Sequence, residues 1–147
     1  MPDTNSSKPA SLSHIKETCL YIQNTQRTRA FYEGILGLPC IAELPERFVF
    51  FRVGADMLLC FIPEFSANNP ILPTHWATGP QHLAFETPDY QNWKAYLQQQ
   101  GVAIEHEAVW QTGRRSFYFR DPDGHSIEIV EPGIWGDVEE ASQGETE

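Results

Sequence analysis

The chain has 147 residues, 41% of them hydrophobic and 12% aromatic, which suits one domain or two small modules sharing one core. Its net charge is −10, half of it from Asp137, Glu139, Glu140, Glu145 and Glu147, and no Lys or Arg follows Arg120. No basic face is available for a nucleic-acid partner, and no apolar run or signal peptide calls for a membrane, so a cytoplasmic protein is expected.

Residues 1–12 (MPDTNSSKPASL) are polar and read as a disordered leader. Ile15 to Ile22 reads as a strand with two faces: Thr18, Leu20 and Ile22 on one, Glu17, Cys19 and Tyr21 on the other. Asn24 or Thr25 can cap a helix from about Gln26 to Leu36, with Phe31 and Ile35 on its buried stripe and Gly37 as its stop. Strands are expected at Cys40 to Leu44, Arg47 to Val53 and Met57 to Ile62, separated by Pro45 and by Gly54-Ala55-Asp56. A Pro- and Asn-rich linker (63–79) follows and carries His75 and Trp76.

The order then repeats. Gln81 to Glu86 reads as a strand. Thr87-Pro88-Asp89 reads as a helix start, Trp93, Tyr96 and Leu97 as the buried stripe, and Gly101 as the stop. Strands are expected at Val102 to Glu107, Ser116 to Arg120 and His125 to Val130. Asp121-Pro122-Asp123-Gly124 suits a type I turn between the last two. The organisation is therefore a leader (1–12), a first βαβββ module (13–62), the linker (63–79), a second module (80–136) and an acidic tail (137–147). The fold class is α+β: two βαβββ modules forming a curved, cup-like mixed sheet with helices outside.

Strand parity places polar residues on the inward side of that cup. In the last strand Ile127 and Ile129 face a core, which leaves Glu128 on the other face. In the first strand of the second module His82, Ala84 and Glu86 oppose Leu83 and Phe85. Glu17, His82 and Glu128 are then expected to converge, and Cys60, between Leu58 and Ile62, is expected to face the same space. One imidazole and two carboxylates suit a six-coordinate divalent ion with open positions: Zn, Mn, Fe, Co or Ni. Singly, each residue has a structural explanation. A strand His is more often hydrogen-bonded than metal-bound, and a buried Cys is a small hydrophobe. His14, His75, His106 and His125 read as surface or turn residues. Three cysteines, an odd number inside apolar runs, read as reduced thiols.

Three segments carry a resemblance: Thr28-Arg29-Ala30-Phe31-Tyr32 through Leu36-Gly37-Leu38, then Gln81-His82-Leu83-Ala84-Phe85-Glu86, then Asp121-Pro122-Asp123-Gly124-His125 through Glu131-Pro132. They resemble the first helix, the second metal-bearing strand and the terminal hairpin of the vicinal-oxygen-chelate superfamily, which includes glyoxalase I, fosfomycin-resistance thiol transferases, extradiol dioxygenases and bleomycin-resistance proteins. The resemblance implies metal ligands at Glu17, His82 and Glu128. Cys60 falls where glyoxalase I has a fourth ligand, and its thiol is expected in the cavity wall.

The implied function is a glyoxalase-like, metal-dependent lyase or isomerase acting on a small molecule by bidentate oxygen chelation and proton transfer. Glu128, Glu17 or Glu86 would move the proton, and Cys19, Tyr21, Cys60, Tyr118 and Arg115 would contact the substrate. The alternatives are a thiol transferase opening an epoxide, with Tyr118 on the substrate; a non-catalytic binding protein; and an extradiol dioxygenase. The family resemblance also implies a homodimer.

Overall fold

The computed structural model describes residues 7–136. The first half of the expected leader and the whole acidic tail (137–147) lie outside the described residues. The elements are β1 (Glu17–Tyr21), α1 (Thr25–Arg29), a π-helical turn (Ala30–Ile35) continuing α1, β2 (Cys40–Leu44), β3 (Phe48–Val53), β4 (Asp56–Phe61), α2 (Pro63–Ser66), β5 (His82–Glu86), α3 (Tyr90–Gln99), β6 (His106–Val109), β7 (Arg115–Arg120) and β8 (Ser126–Val130). They build two four-stranded sheets, ordered β1-β4-β3-β2 and β5-β8-β7-β6. In each sheet the first strand runs parallel to the last and the other pairs are antiparallel. The α+β class and the two βαβββ modules are as expected.

Local chemistry explains most boundaries. The Asn24 side chain accepts a hydrogen bond from Arg27 N at 2.8 Å and so caps α1. The helix then widens by one residue, with Leu36 N donating to Phe31 O at 3.0 Å, and ends at Gly37, whose φ of 76° is easy only for glycine. Helix α3 starts later than expected. Thr87 Oγ1 accepts from Asp89 N at 3.1 Å, which makes a local turn, and the first helical bond runs from Trp93 N to Asp89 O. Pro88 therefore sits outside the helix rather than at its first position. Strand β6 also starts later, at His106. The preceding residues finish the helix instead: Val102 N bonds to Leu97 O at 2.9 Å, and Val102 and Ile104 pack on the core.

Each sheet has one face toward a shared core and one open face. The core joins Leu20, Ile22, Val49, Phe51, Leu58 and Cys60 of the first sheet to Phe117, Phe119, Ile127 and Ile129 of the second. Phe31 meets Phe119 with ring centroids 6.2 Å apart, and Tyr96 OH donates to Ile35 O at 2.7 Å. The modules thus meet through their helix-bearing sides. What remains open is the opposite face of each sheet.

Candidate metal centre and adjoining groove

β5 and β8 are parallel neighbours with His82 in register with Ser126 and Ala84 with Glu128, so His82 and Glu128 are diagonal neighbours on one face. His82 Nε2 lies 3.3 Å from Glu128 Oε1. His82 Nδ1 lies 2.9 Å from the carbonyl oxygen of Ser126. A carbonyl can only accept, so Nδ1 carries the proton and the Nε2 lone pair faces the carboxylate. Two acceptors so placed repel unless a cation, a proton or a metal ion, sits between them. The backbone bond that fixes the ring is the usual support of a metal-bound histidine. The donor set therefore fits a divalent ion. Glu128 is only 7% exposed, whereas the His82 side chain is 52% exposed, so the pair can be reached from the open face.

Tyr118 stands directly opposite Glu128 on β7 and stacks on His82 with ring centroids 6.2 Å apart. Partial burial and the neighbouring Glu128 carboxylate hold the phenol above its ordinary pKa, while the nearby Ser116 hydroxyl works the other way. Trp110 Nε1 donates to Ser116 Oγ at 2.9 Å. This bond ties the connection before β7 to the row of side chains that holds Tyr118.

These residues line a groove of about 520 Å³, with Ala84, Glu86, Val130, Ile134 and Trp135 completing its walls. Glu86 shares the face of His82 but lies four residues along β5, so its Cα is about 13 Å further on. A second cleft, of about 160 Å³ between Leu36, Val53, Trp93 and Ile129, is smaller and holds no such pair.

The expected three-way convergence is absent within one chain. Among the described residues no three His, Cys, Asp or Glu side chains come together in a way that could hold a metal ion. Glu17 lies exposed on the open face of the first sheet with Cys19 and Tyr21, on β1, while His82 and Glu128 lie on the open face of the second. Because the modules dock through their helical sides, the two open faces are not pressed together. Cys60 is a second correction. It is fully buried, pairs with Leu20, and points into the core with Leu58, while Met57, Leu59 and Phe61 take the open face. Burial pushes its thiol well above the usual range. Arg115 is a third. It lies over the Tyr90 ring at 4.4 Å and pairs with Glu131 at 2.8 Å, on the helical side of β7. His125, expected at the surface, is 2% exposed. Gln81 N donates to its Nδ1 at 2.9 Å and its Nε2–H donates to Tyr21 O at 2.6 Å, so it ties β1 to the start of β5.

On the first sheet Cys19 sits beside Glu17, and partial burial and that carboxylate raise its thiol pKa. Tyr21 OH lies 2.6 Å from His75 Nδ1, and the imidazole meets Phe61 edge-on at 4.7 Å, so the linker folds back onto this face. Sequence reasoning missed Trp110, Ile134 and Trp135 as groove walls.

The family model for the Glyoxalase/Bleomycin resistance protein/Dioxygenase superfamily matches residues 11–129. No protein of curated function is a significant match. A lactoylglutathione lyase from Agrobacterium tumefaciens is 36% identical over 86% of this chain and 98% of its own, with a TM-score of 0.82. A glyoxalase/dioxygenase from Nostoc punctiforme is 31% identical over 88% and 98%, at 0.63. A glyoxalase family protein from Enterococcus faecalis is 30% identical over 80% and 97%, also at 0.63.

Proposed function

Since the chain belongs to the glyoxalase, bleomycin-resistance and dioxygenase superfamily, we propose that it is a metal-dependent lyase or isomerase of the glyoxalase type, acting on a small molecule with two adjacent oxygens. The observation that carries this reading is the facing pair of His82 Nε2 and Glu128 Oε1, 3.3 Å apart, with the ring tautomer fixed by Ser126 O at 2.9 Å. His82 and Glu128 would hold the ion from one chain, and Glu17 of the partner subunit would complete the set in a homodimer. Support for the dimer comes from the exposure of Glu17, His82 and the apolar Ile15, Ile41, Leu44 and Val109.

A divalent ion in that site supplies a Lewis acid for the two oxygens and for the negative charge that develops on them. Glu128 is the carboxylate at the chelation point and is assigned the proton: it takes it from the carbon beside one oxygen and returns it to the neighbouring carbon, so no atom is lost. Tyr118, the cross-strand partner of Glu128, would donate to the carboxylate and steady it between these tasks. Glu86 is assigned to the far end of the groove, with a role in binding.

The test is metal content and turnover of a hemithioacetal in three variants. His82→Ala and Glu128→Gln are expected to lose stoichiometric metal and turnover. Glu86→Gln is expected to keep the metal and to change KM more than kcat. Full metal content in both His82→Ala and Glu128→Gln refutes the reading and leaves a metal-free binding protein as the better one. A thiol transferase acting on an anionic epoxide is less well supported, because among the described residues of this chain no Lys or Arg lines the groove.

A further inference from the structure

We propose that the seam between the two modules holds a second binding site, a cleft for a small organic cation with a benzene-sized apolar body and one ammonium group. The cleft has a volume of about 160 Å³. Leu36, Leu38 and Val53 of the first module line it together with Phe85, Trp93 and Ile129 of the second. Phe85 and Ile129 are in-register neighbours on β5 and β8 that pack toward the core. The cleft therefore lies on the helical side of the second sheet, the opposite face from His82 and Glu128, and stands independently of the metal reading.

Size and charge define the ligand. Protein interiors are close-packed, and a gap at a packed seam forgoes contacts that a bound group restores. A void of about 150 Å³ lined by Leu, Ile and Phe takes up benzene and stays free of water, which sets the size of the apolar body. The Glu86 carboxylate is the one ionisable group among the described residues lining the cleft, and no Lys, Arg or His shares it. Glu86 is the last residue of β5, and β5 is an edge strand, so its side chain can turn round the sheet edge to the seam. It is exposed, so an ammonium group paired with it at the mouth keeps much of its water. Trp93 adds an indole ring to the same wall, the side chain that attracts a cation most strongly. That ring meets Tyr96 edge-on at 5.4 Å, and Tyr96 OH donates to Ile35 O across the seam at 2.7 Å. The wall is thus in place before a ligand arrives, which lowers the entropic cost of binding. A net charge of −10 also favours a cation over an anion.

Three probes of similar shape test this: benzylamine, benzyl alcohol and benzoate. Affinity is measured by calorimetry, and the place of binding by NMR of the indole N–H groups of Trp93, Trp110 and Trp135. Benzylamine is expected to bind about ten-fold more tightly than benzyl alcohol and to shift the Trp93 signal, and benzoate to bind more weakly than either. Glu86→Gln is expected to bring benzylamine down to the level of benzyl alcohol. Val53→Phe and Leu38→Phe each put a ring into the cleft and are expected to abolish binding of both; they are made separately, so that one serves if the other does not fold. A cation site at the seam is ruled out if benzylamine does not bind, if benzoate matches it, or if Glu86→Gln leaves its lead intact. It is ruled out equally if benzylamine shifts Trp110 or Trp135 instead of Trp93, or if binding survives in the filled variants. None of these readouts involves metal, so the seam site and the metal centre stand or fall separately.

Discussion

The carboxylate of Asp121 accepts from Asp123 N and His125 N at 2.9 Å each, and from Tyr32 OH at 2.6 Å. The first two bonds are local, and the turn they build was legible in Asp-Pro-Asp-Gly. The third comes from a tyrosine 89 residues away, and no local pattern announces it. Both partners are buried, and burial beside Asp121 pushes the Tyr32 phenol well above its ordinary range. Removing the hydroxyl leaves a buried acceptor without its donor, so Tyr32→Phe is expected to cost about 1–3 kcal/mol in denaturant unfolding. An unchanged midpoint would contradict this. His125 shows the same limit of local reading. Its place in a polar turn suggested the surface, but the ring fills a gap between β1 and β5 that exists only once both modules are docked. Cys60 was misread for another reason: Leu58-Leu59-Cys60-Phe61 is apolar on both faces, so alternation gives no parity.

At the scale of elements, β8 was the most legible. Ile127 and Ile129 against Glu128 fix its two faces, and the parallel register with β5 then brings His82 beside the carboxylate. The groove walls were not legible. Trp110 comes from the connection between β6 and β7, and Ile134 and Trp135 from the turn after β8, where no period applies. The ends of β7 and β8 are joined by Arg115 and Glu131, through two guanidinium bonds and one from the Arg115 backbone. The Arg115 guanidinium holds Glu131 below the ordinary carboxylate range. A depressed carboxylate stabilises the fold above its unfolded value, so this contribution is complete above pH 4.5 and is lost as pH falls through the folded value. Melting curves should therefore show native protein and Glu131→Gln differing most near neutrality and converging below pH 4.5. A gap that stays constant across that range would show that the ion pair does not hold these strand ends.

For the whole molecule, the doubled βαβββ order was legible because each half repeats strand, helix, glycine stop and hairpins. How the halves dock was not. Alternation tells which side of a strand is polar, but both modules have a polar side, and only packing decides which sides meet. Here the helical sides meet, so one chain carries His82 and Glu128 on one open face and Glu17 on another. The account answers this with a second copy of the chain, and that can be checked by mixing two variants.

Glu17→Gln and His82→Ala are each expected to form dimers without stoichiometric metal. In a mixed dimer, one site would join the native His82 and Glu128 of one chain to the native Glu17 of the other, while the second site would carry both substitutions. Random re-association after mild unfolding makes about half the dimers mixed, so metal content and turnover should return to about one quarter of the native level. If mixing restores neither, Glu17 does not act across subunits, and the proposed metal centre is contradicted.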